Sequence, residues 1–310
     1  MCSINIKYIL IILIFIFFIS CNFKINNYKY LYPVKVNNKY GYIDEKGVMK
    51  IEPQFDFADY FYESFAIIKQ NNHCKYINLK GEIVFGTLQF NACGRFSEKL
   101  ASFAFEKNGK RGYINNKGEI VINPSFFEAY DFSESTALVV IDDKLYNRRF
   151  AYIDKNGKFV LLTKEVFPYQ GNFKNDLAWV CSKSDKCGYI NKKGEMVIPQ
   201  EYNSASDFSE GLAAVSKYGK YGYINTKNKI IISEQFDDAK KFSEGLAAVG
   251  KGDLYGYINK RGKLIIPYKF IYAEEFLYGL AFVKEKVGKE IYEGYIDKKG
   301  KYVWKQKVEE

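Results

Sequence analysis

FSEGLAAVSKYGKYGYINTKNKIIISEQFDDAKK, residues 208–241, runs without a gap into FSEGLAAVGKGDLYGYINKRGKLIIPYKFIYAEE, residues 242–275. The two 34-residue segments are identical at 19 positions. A period of this size marks a repeat architecture, in which each copy is one small unit that buries its apolar face only by stacking on its neighbours. The usual prior of about 150 residues per domain therefore gives way to a single quasi-linear array.

Carried outward, the Gly-Tyr-Ile-Asn/Asp core appears eight times, with its tyrosine at Tyr42, Tyr76, Tyr113, Tyr152, Tyr189, Tyr223, Tyr257 and Tyr295. The Phe-Ser-Glu-Gly-Leu-Ala element appears seven times, beginning at Phe61, Phe96, Phe132, Phe173, Phe208, Phe242 and Phe276. Short apolar runs such as Leu212–Val215 and Leu264–Ile266, bounded by Gly and Asn, read as strands. No stretch has the length or period of a long helix. Between the last two strands of each copy lies a turn that opens on Asp44, Asn78, Asn115, Asp154, Asn191, Asn225, Asn259 or Asp297. Three residues later come Gly47, Gly81, Gly118, Gly157, Gly194, Asn228, Gly262 and Gly300. Asp or Asn starts a type I turn, and a left-handed residue after it forms a hairpin bulge. Asn228, the one departure from glycine, is the side-chain-bearing type that best tolerates that conformation.

Each unit is thus expected to be a three-stranded antiparallel meander, joined to the next by a connection such as residues 202–208, with room for one helical turn. The expected fold is all-β: a tandem array of eight such meanders over residues 32–305, open and superhelical. Three strands per unit, with none shared between the ends, favour the open form. The alternative is a closed propeller-like ring, because propellers have about four strands per blade and up to about eight blades.

Aromatic residues make up 18% of the chain, enough for a large core, and the formal charge is +10. That balance makes anionic surfaces plausible partners without bearing on fold. A single histidine, His73, argues against histidine metal sites and triads. No cofactor or metal is expected. Residues 1–20 carry Lys7 and then an unbroken apolar run from Tyr8 to Ile19, short for a membrane span and suited to a signal peptide. Phe18-Ile19-Ser20-Cys21 resembles a bacterial lipobox, which makes Cys21 the expected lipidated residue. Residues 21–31 then form a polar spacer, and 306–310 a charged tail. An exported, lipid-anchored location at the cell envelope follows, on either its periplasmic or its surface side. Four further cysteines remain: Cys74, Cys93, Cys181 and Cys187. An even number in an exported chain permits two disulfides. Cys181 and Cys187 face each other across a short hairpin loop; four buried thiols are the alternative.

The order Lys-Tyr-Gly-Tyr-Ile-Asn/Asp-x-x-Gly, Ile-x-Pro-x-Tyr/Phe-x-x-Ala, Phe-Ser-Glu-Gly-Leu-Ala-x-Val is similar to the bacterial WG (KWG) repeat, over roughly residues 32–305. The tryptophan slot of that family holds Tyr40, Cys74, Arg111, Phe150, Cys187, Tyr221, Tyr255 and Glu293 here. The resemblance implies a β-rich repeat protein of bacterial origin, commonly exported or lipid-anchored. It implies no reaction.

Candidate binding residues fall into two sets. The third turn position is basic in seven copies, Lys46, Lys80, Lys117, Lys193, Lys227, Arg261 and Lys299. Stacked in register, these would line one edge as a positive stripe for lipid headgroups or anionic glycans, with nucleic acid the least favoured partner. The bland reading is a solvated turn that also keeps strand edges from pairing. The second set is the insertion 141–150, with Lys144, Tyr146, Arg148 and Arg149, which lengthens one hairpin; insertions in repeats often map to a binding face. Residues 285–293 lengthen another. Glu98, Glu134, Glu210 and Glu244 recur too often to be catalytic and read as turn or capping residues, and the tyrosines read as core. The leading expectation is a non-enzymatic, lipid-anchored scaffold that binds an envelope or host protein. An envelope glycan- or anion-binding module comes second. A hydrolase comes third, and needs a closed ring with carboxylates converging on a central channel.

Overall fold

The computed structural model describes residues 30–86, 88–144, 147–163 and 169–308, and every regular element in them is a β-strand. The leader, Cys21, most of the spacer and Tyr146 lie outside the described residues.

The sixth copy shows the plan. A two-residue inner strand, Ser204–Ala205, pairs antiparallel with Leu212–Ser216, which pairs with Tyr221–Asn225, which pairs with the outer strand Ile230–Phe236. The connection between copies is therefore not a helical turn but a fourth strand, too short to leave a period-2 trace in the sequence. The same short inner strand recurs at Ala92–Cys93, Glu128–Ala129, Tyr169–Gln170 and Asp238–Ala239. In the second copy it is the longer Phe57–Tyr62. In the eighth it is the end of the ten-residue strand Leu264–Ala273, which fuses the last two sheets. Among the described residues only the first copy is a three-stranded meander, Tyr32–Val36, Lys39–Ile43 and Met49–Phe55. At the other end the last strand, Tyr302–Lys307, runs two residues past 305.

Two turns shape each unit. In the outer one, the Asp or Asn side chain accepts hydrogen bonds from the backbone N–H two and four residues on, as Asn225 does from Lys227 and Lys229 at 3.0 Å each. Asp44, Asn78, Asn115, Asp154, Asn191, Asn259 and Asp297 repeat that pair of bonds. Each fourth residue is left-handed, with Asn228 at φ 59° and Gly47 at φ 81°. The inner turn is Ser-Glu-Gly-Leu, with both central residues left-handed, Glu210 at 53° and Gly211 at 85°. Two positive φ values give the turn whose twist suits a hairpin.

The open array and the ring differ in one respect: whether the first and last copies touch. They do. Tyr295 donates a 2.8 Å hydrogen bond to the Pro33 carbonyl, Tyr32 donates to the Tyr278 carbonyl, and Gln306 Nε2 donates to the Lys35 carbonyl at 2.6 Å. The Gly47 turn also lies against the outer strand of the eighth copy, so that a Cβ there would come within 2.5 Å of the Val303 carbonyl oxygen. The eight units, or blades, thus form the ring weighed above as the alternative.

Blade-to-blade packing is the core. Each Gly-Tyr-Ile tyrosine is fully buried and contacts the Phe of the next blade, with ring centroids 4.5–5.2 Å apart from Tyr42–Phe61 to Tyr257–Phe276. Burying one such ring is worth about 2–3 kcal/mol, and the paired geometry adds about 1 kcal/mol. Each phenol also donates to a carbonyl of the next blade at 2.6–2.9 Å, for example Tyr223 to Lys240. At the seam Tyr32 stands where the next Phe would be, 5.3 Å from Tyr295.

Candidate functional site

The inner turns form a directional chain around the mouth of the channel. Ser97, Ser133, Ser209 and Ser243 each donate to the carbonyl of the next blade's Phe at 2.5–2.7 Å. The glutamates hand on in the same direction: Glu98 to the Ser135 N–H, Glu134 to Asp176, Glu210 to Gly245 and Glu244 to Gly279. Glu63 receives both Glu98 and Lys99, and Asn175 takes the glutamate's place toward Gly211. Holding a glutamate at φ near 53° costs about 1–2 kcal/mol, which a charge-assisted bond of about 1.5–3 kcal/mol offsets. A lysine from the next outer turn closes each unit, as in Lys155–Glu98, Lys192–Glu134, Lys260–Glu210 and Lys298–Glu244 at 2.8–3.0 Å. These repeated carboxylates are therefore committed to blade-to-blade contacts.

The chain stops at the eighth blade. There Leu277-Tyr278 replaces Ser-Glu, and among the described residues the first blade shows no inner turn to receive a carboxylate. Tyr278 instead stacks on Tyr30 at 4.0 Å and donates across the gap to the Phe61 carbonyl at 3.2 Å. Tyr60 fills the same space, donating to Glu274 at 2.8 Å and lying 3.3 Å from the Tyr295 hydroxyl.

Inside the ring is a cavity of about 750 Å³. The residue before each repeated Phe lines it: Tyr60, Arg95, Asp131, Asn172, Asp207, Lys241 and Glu275. Only Asp131 and Asp207 are the same residue type, although the motif that follows recurs. Arg95 is held by Asp59, at 2.8 Å from Nε to Oδ2, and lies over the Tyr62 ring. Burial pushes the Asp131 carboxyl above its ordinary range against the pull of Arg95 and Lys174. Burial does the same to Asp207, against Lys174 and Lys241, and Asp207 Oδ1 is enclosed without a hydrogen-bond partner. Sequence reading missed this set. The signal was present, as a residue before the repeated Phe that varies in type and charge from copy to copy. The closed ring places the carboxylates Asp59, Asp131, Asp207, Glu274 and Glu275 among the residues lining its cavity.

The positions singled out from sequence separate onto two faces. Lys46, Lys80, Lys117, Lys193, Lys227, Arg261 and Lys299 all lie exposed on the face of the outer turns, where the chain also enters the first strand. The lengthened hairpin pairs Ala137–Lys144 with Asn147–Ile153 and ends on the opposite face, with Lys144 opposite Asn147, Arg148 opposite Asp143 and Arg149 opposite Asp142. The structure does not bring the two sets together. Cys181 is bonded to Cys187 and Cys74 to Cys93. Among the described residues no helix is long and apolar enough to cross a membrane, and no group of three His, Cys, Asp or Glu is placed to hold a metal.

Solved structures share the fold at low identity. The chain superposes on a eukaryotic initiation factor with a TM-score of 0.55 and 12% identity, covering 90% of this chain and 96% of that one. It matches apo AztD from Citrobacter koseri at 0.54 and 11%, covering 90% and 95%. It matches the computationally designed Ika8 protein at 0.52 and 12%, covering 85% and 95%. A comparison with curated proteins returns no match. The WG containing repeat is matched at residues 40–74, 76–110, 112–144, 188–221, 221–255 and 255–286, which is more than half of the chain. These repeats, whose tyrosines, turns and Phe-Ser-Glu links build the ring, place the protein in the WG repeat family.

Proposed function

We propose that this chain is a non-catalytic repeat scaffold, held at the bacterial cell envelope by lipid on Cys21, that presents its ring to a partner protein. The observation that carries this reading is the fate of the repeated polar groups. The serine hydroxyls, glutamate carboxylates and turn Asn or Asp side chains are used in holding blades together or shaping turns. Beside the exposed bases of the outer turns, the rim carries apolar residues. Pairs of apolar residues at the start of the outer strands of the third to fifth blades, Ile120 and Val121, Phe159 and Val160, and Met196 and Val197, are exposed by 43–50%. Exposed apolar residues repeated at one strand position from blade to blade support an interaction surface.

The test is capture from envelope extract by the full-length protein, compared with a Val121→Glu, Val197→Glu variant. A partner recovered by the wild type and lost with the variant supports the reading. Recovery of nothing above background argues against it. Anchoring is read separately, by labelling with a fatty acid analogue that Cys21→Ala abolishes. A second reading, an envelope anion-binding module, is supported by the exposed basic residues of the turn face.

A further inference from the structure

The eight outer turns share a face but not a charge. Counting each turn residue and the four after it, blades 1–3 hold Asp44, Glu45, Glu82 and Glu119 against Lys46, Lys80 and Lys117, a net charge of −1. The same positions in blades 6–8 hold eight bases against Asp297 alone, a net charge of +7. Lys260 and Lys298 are taken by Glu210 and Glu244. The other six, Lys227, Lys229, Arg261, Lys263, Lys299 and Lys301, are exposed and make no ion pair among the described residues. Directly after them in the chain come Ile230 and Ile231, 59% and 41% exposed, and Leu264 and Ile265, 39% and 41% exposed. Bases beside exposed aliphatic side chains suit a membrane interface, where apolar burial and attraction to anionic headgroups add.

The chain's entry point favours the same surface. Tyr30 stacks on Tyr278 of blade 8 and leads into the first strand at its turn-face end. Nine residue steps lead from Cys21 to Tyr30, a reach of at most about 30 Å. A lipid on Cys21 would therefore hold the turn face, next to blade 8, close to the bilayer.

We propose that blades 6–8 dock their outer-turn face on an anionic lipid bilayer, the six bases meeting headgroups and the aliphatic pairs the interface beneath them. The orientation rests on the anchor reading of Cys21; the docking does not, and is measured without the lipid. All the contacts above lie within residues 30–308, so the chain from Asn22 onward carries the whole ring. That chain is sedimented with phosphatidylcholine vesicles with or without phosphatidylglycerol.

Binding is expected only to the anionic vesicles, weakening as salt rises. A base near a charged bilayer contributes about fivefold in partitioning. Lys227→Gln, Arg261→Gln, Lys299→Gln should thus lower partitioning on the order of 100-fold, with the circular dichroism spectrum unchanged. The matched triple Lys46→Gln, Lys80→Gln, Lys117→Gln should change it by less than about fivefold. Equal losses in both triples would reduce the effect to net charge and overturn the proposal. So would absence of anionic-vesicle binding, or binding only to a soluble anionic glycan offered in parallel. Failure of Cys21→Ala to remove fatty acid label sinks the anchor alone.

Discussion

At Asn228 the sixth copy keeps a side chain where the other seven have glycine, and the structure shows what that side chain gains. Its Oδ1 accepts from the Tyr202 hydroxyl at 2.6 Å and its Nδ2 donates to Glu201 at 3.2 Å, tying the turn to the preceding blade. Glycine would lose these bonds but relieve the left-handed backbone, whereas alanine would lose the bonds and keep the strain. Asn228→Gly should therefore leave the thermal midpoint almost unchanged, and Asn228→Ala should cost about 1–2 kcal/mol in denaturant titration. Asp207 makes the opposite case. Its carboxyl is raised by burial, so the folded chain binds a proton more readily than the unfolded one. Stability from this group falls as pH rises through the window between its ordinary value and the raised one, and the penalty persists above that window. Asp207→Asn should raise the melting temperature at neutral pH and match the wild type in acid below the ordinary carboxyl range. A lower melting temperature for the variant at neutral pH would show that the charge is compensated.

The blade is the scale at which the sequence spoke most clearly, and also where it stopped. The outer turn was legible because its chemistry is local: an acceptor side chain first and a left-handed residue fourth, within one short stretch. The inner strand was not. Two residues such as Ser204–Ala205 earn their place through pairing with a neighbouring strand, and no periodicity can reveal so short a run. The channel set was hidden for a related reason. Residues such as Asp131 and Asp207 converge only once the ring exists. The inner strand also exposes a flaw in one blade. Gln170, 7% exposed, has both amide atoms enclosed without partners at the position where other inner strands carry Ala205, Ala239 or Ala129. An unsatisfied buried amide costs about 1–3 kcal/mol. Gln170→Ala should accordingly stabilise the protein by about 1–2 kcal/mol. Loss of stability would mean that the amide serves something at that spot.

For the whole molecule, the seam is the interface to watch. Elsewhere adjacent blades are joined by a phenol and, at most joins, by a serine hydroxyl, a glutamate or both. Between blades 8 and 1 the join rests on tyrosines, Tyr30, Tyr32, Tyr60, Tyr278 and Tyr295, with Gln306 at the rim. The first blade, with three strands, also offers the least pairing. Hydrogen exchange should therefore be fastest in the strands Tyr32–Val36 and Tyr302–Lys307, and Tyr278→Ala should speed it there while leaving blades 4–6 unchanged. Uniform exchange around the ring would mean that the tyrosines equal the links they replace. Residues 208–241 made alone should show no cooperative unfolding, because their aromatic pairs belong to neighbours on both sides.

The direction of the glutamate links has a consequence for how such a gene can change length. Copies 3 to 7 each receive a cap from the predecessor and offer one to the successor, copy 5 through Asn175, so an in-frame duplication of the segment 208–241 would find compatible partners on either side. Among the described residues the first copy shows no inner turn and the last carries Tyr278 in place of the acid, and the two work as an initiator and a terminator. Copy number is thus free to drift in the interior, and the tyrosine-lined join is where a ninth unit would be accepted or refused.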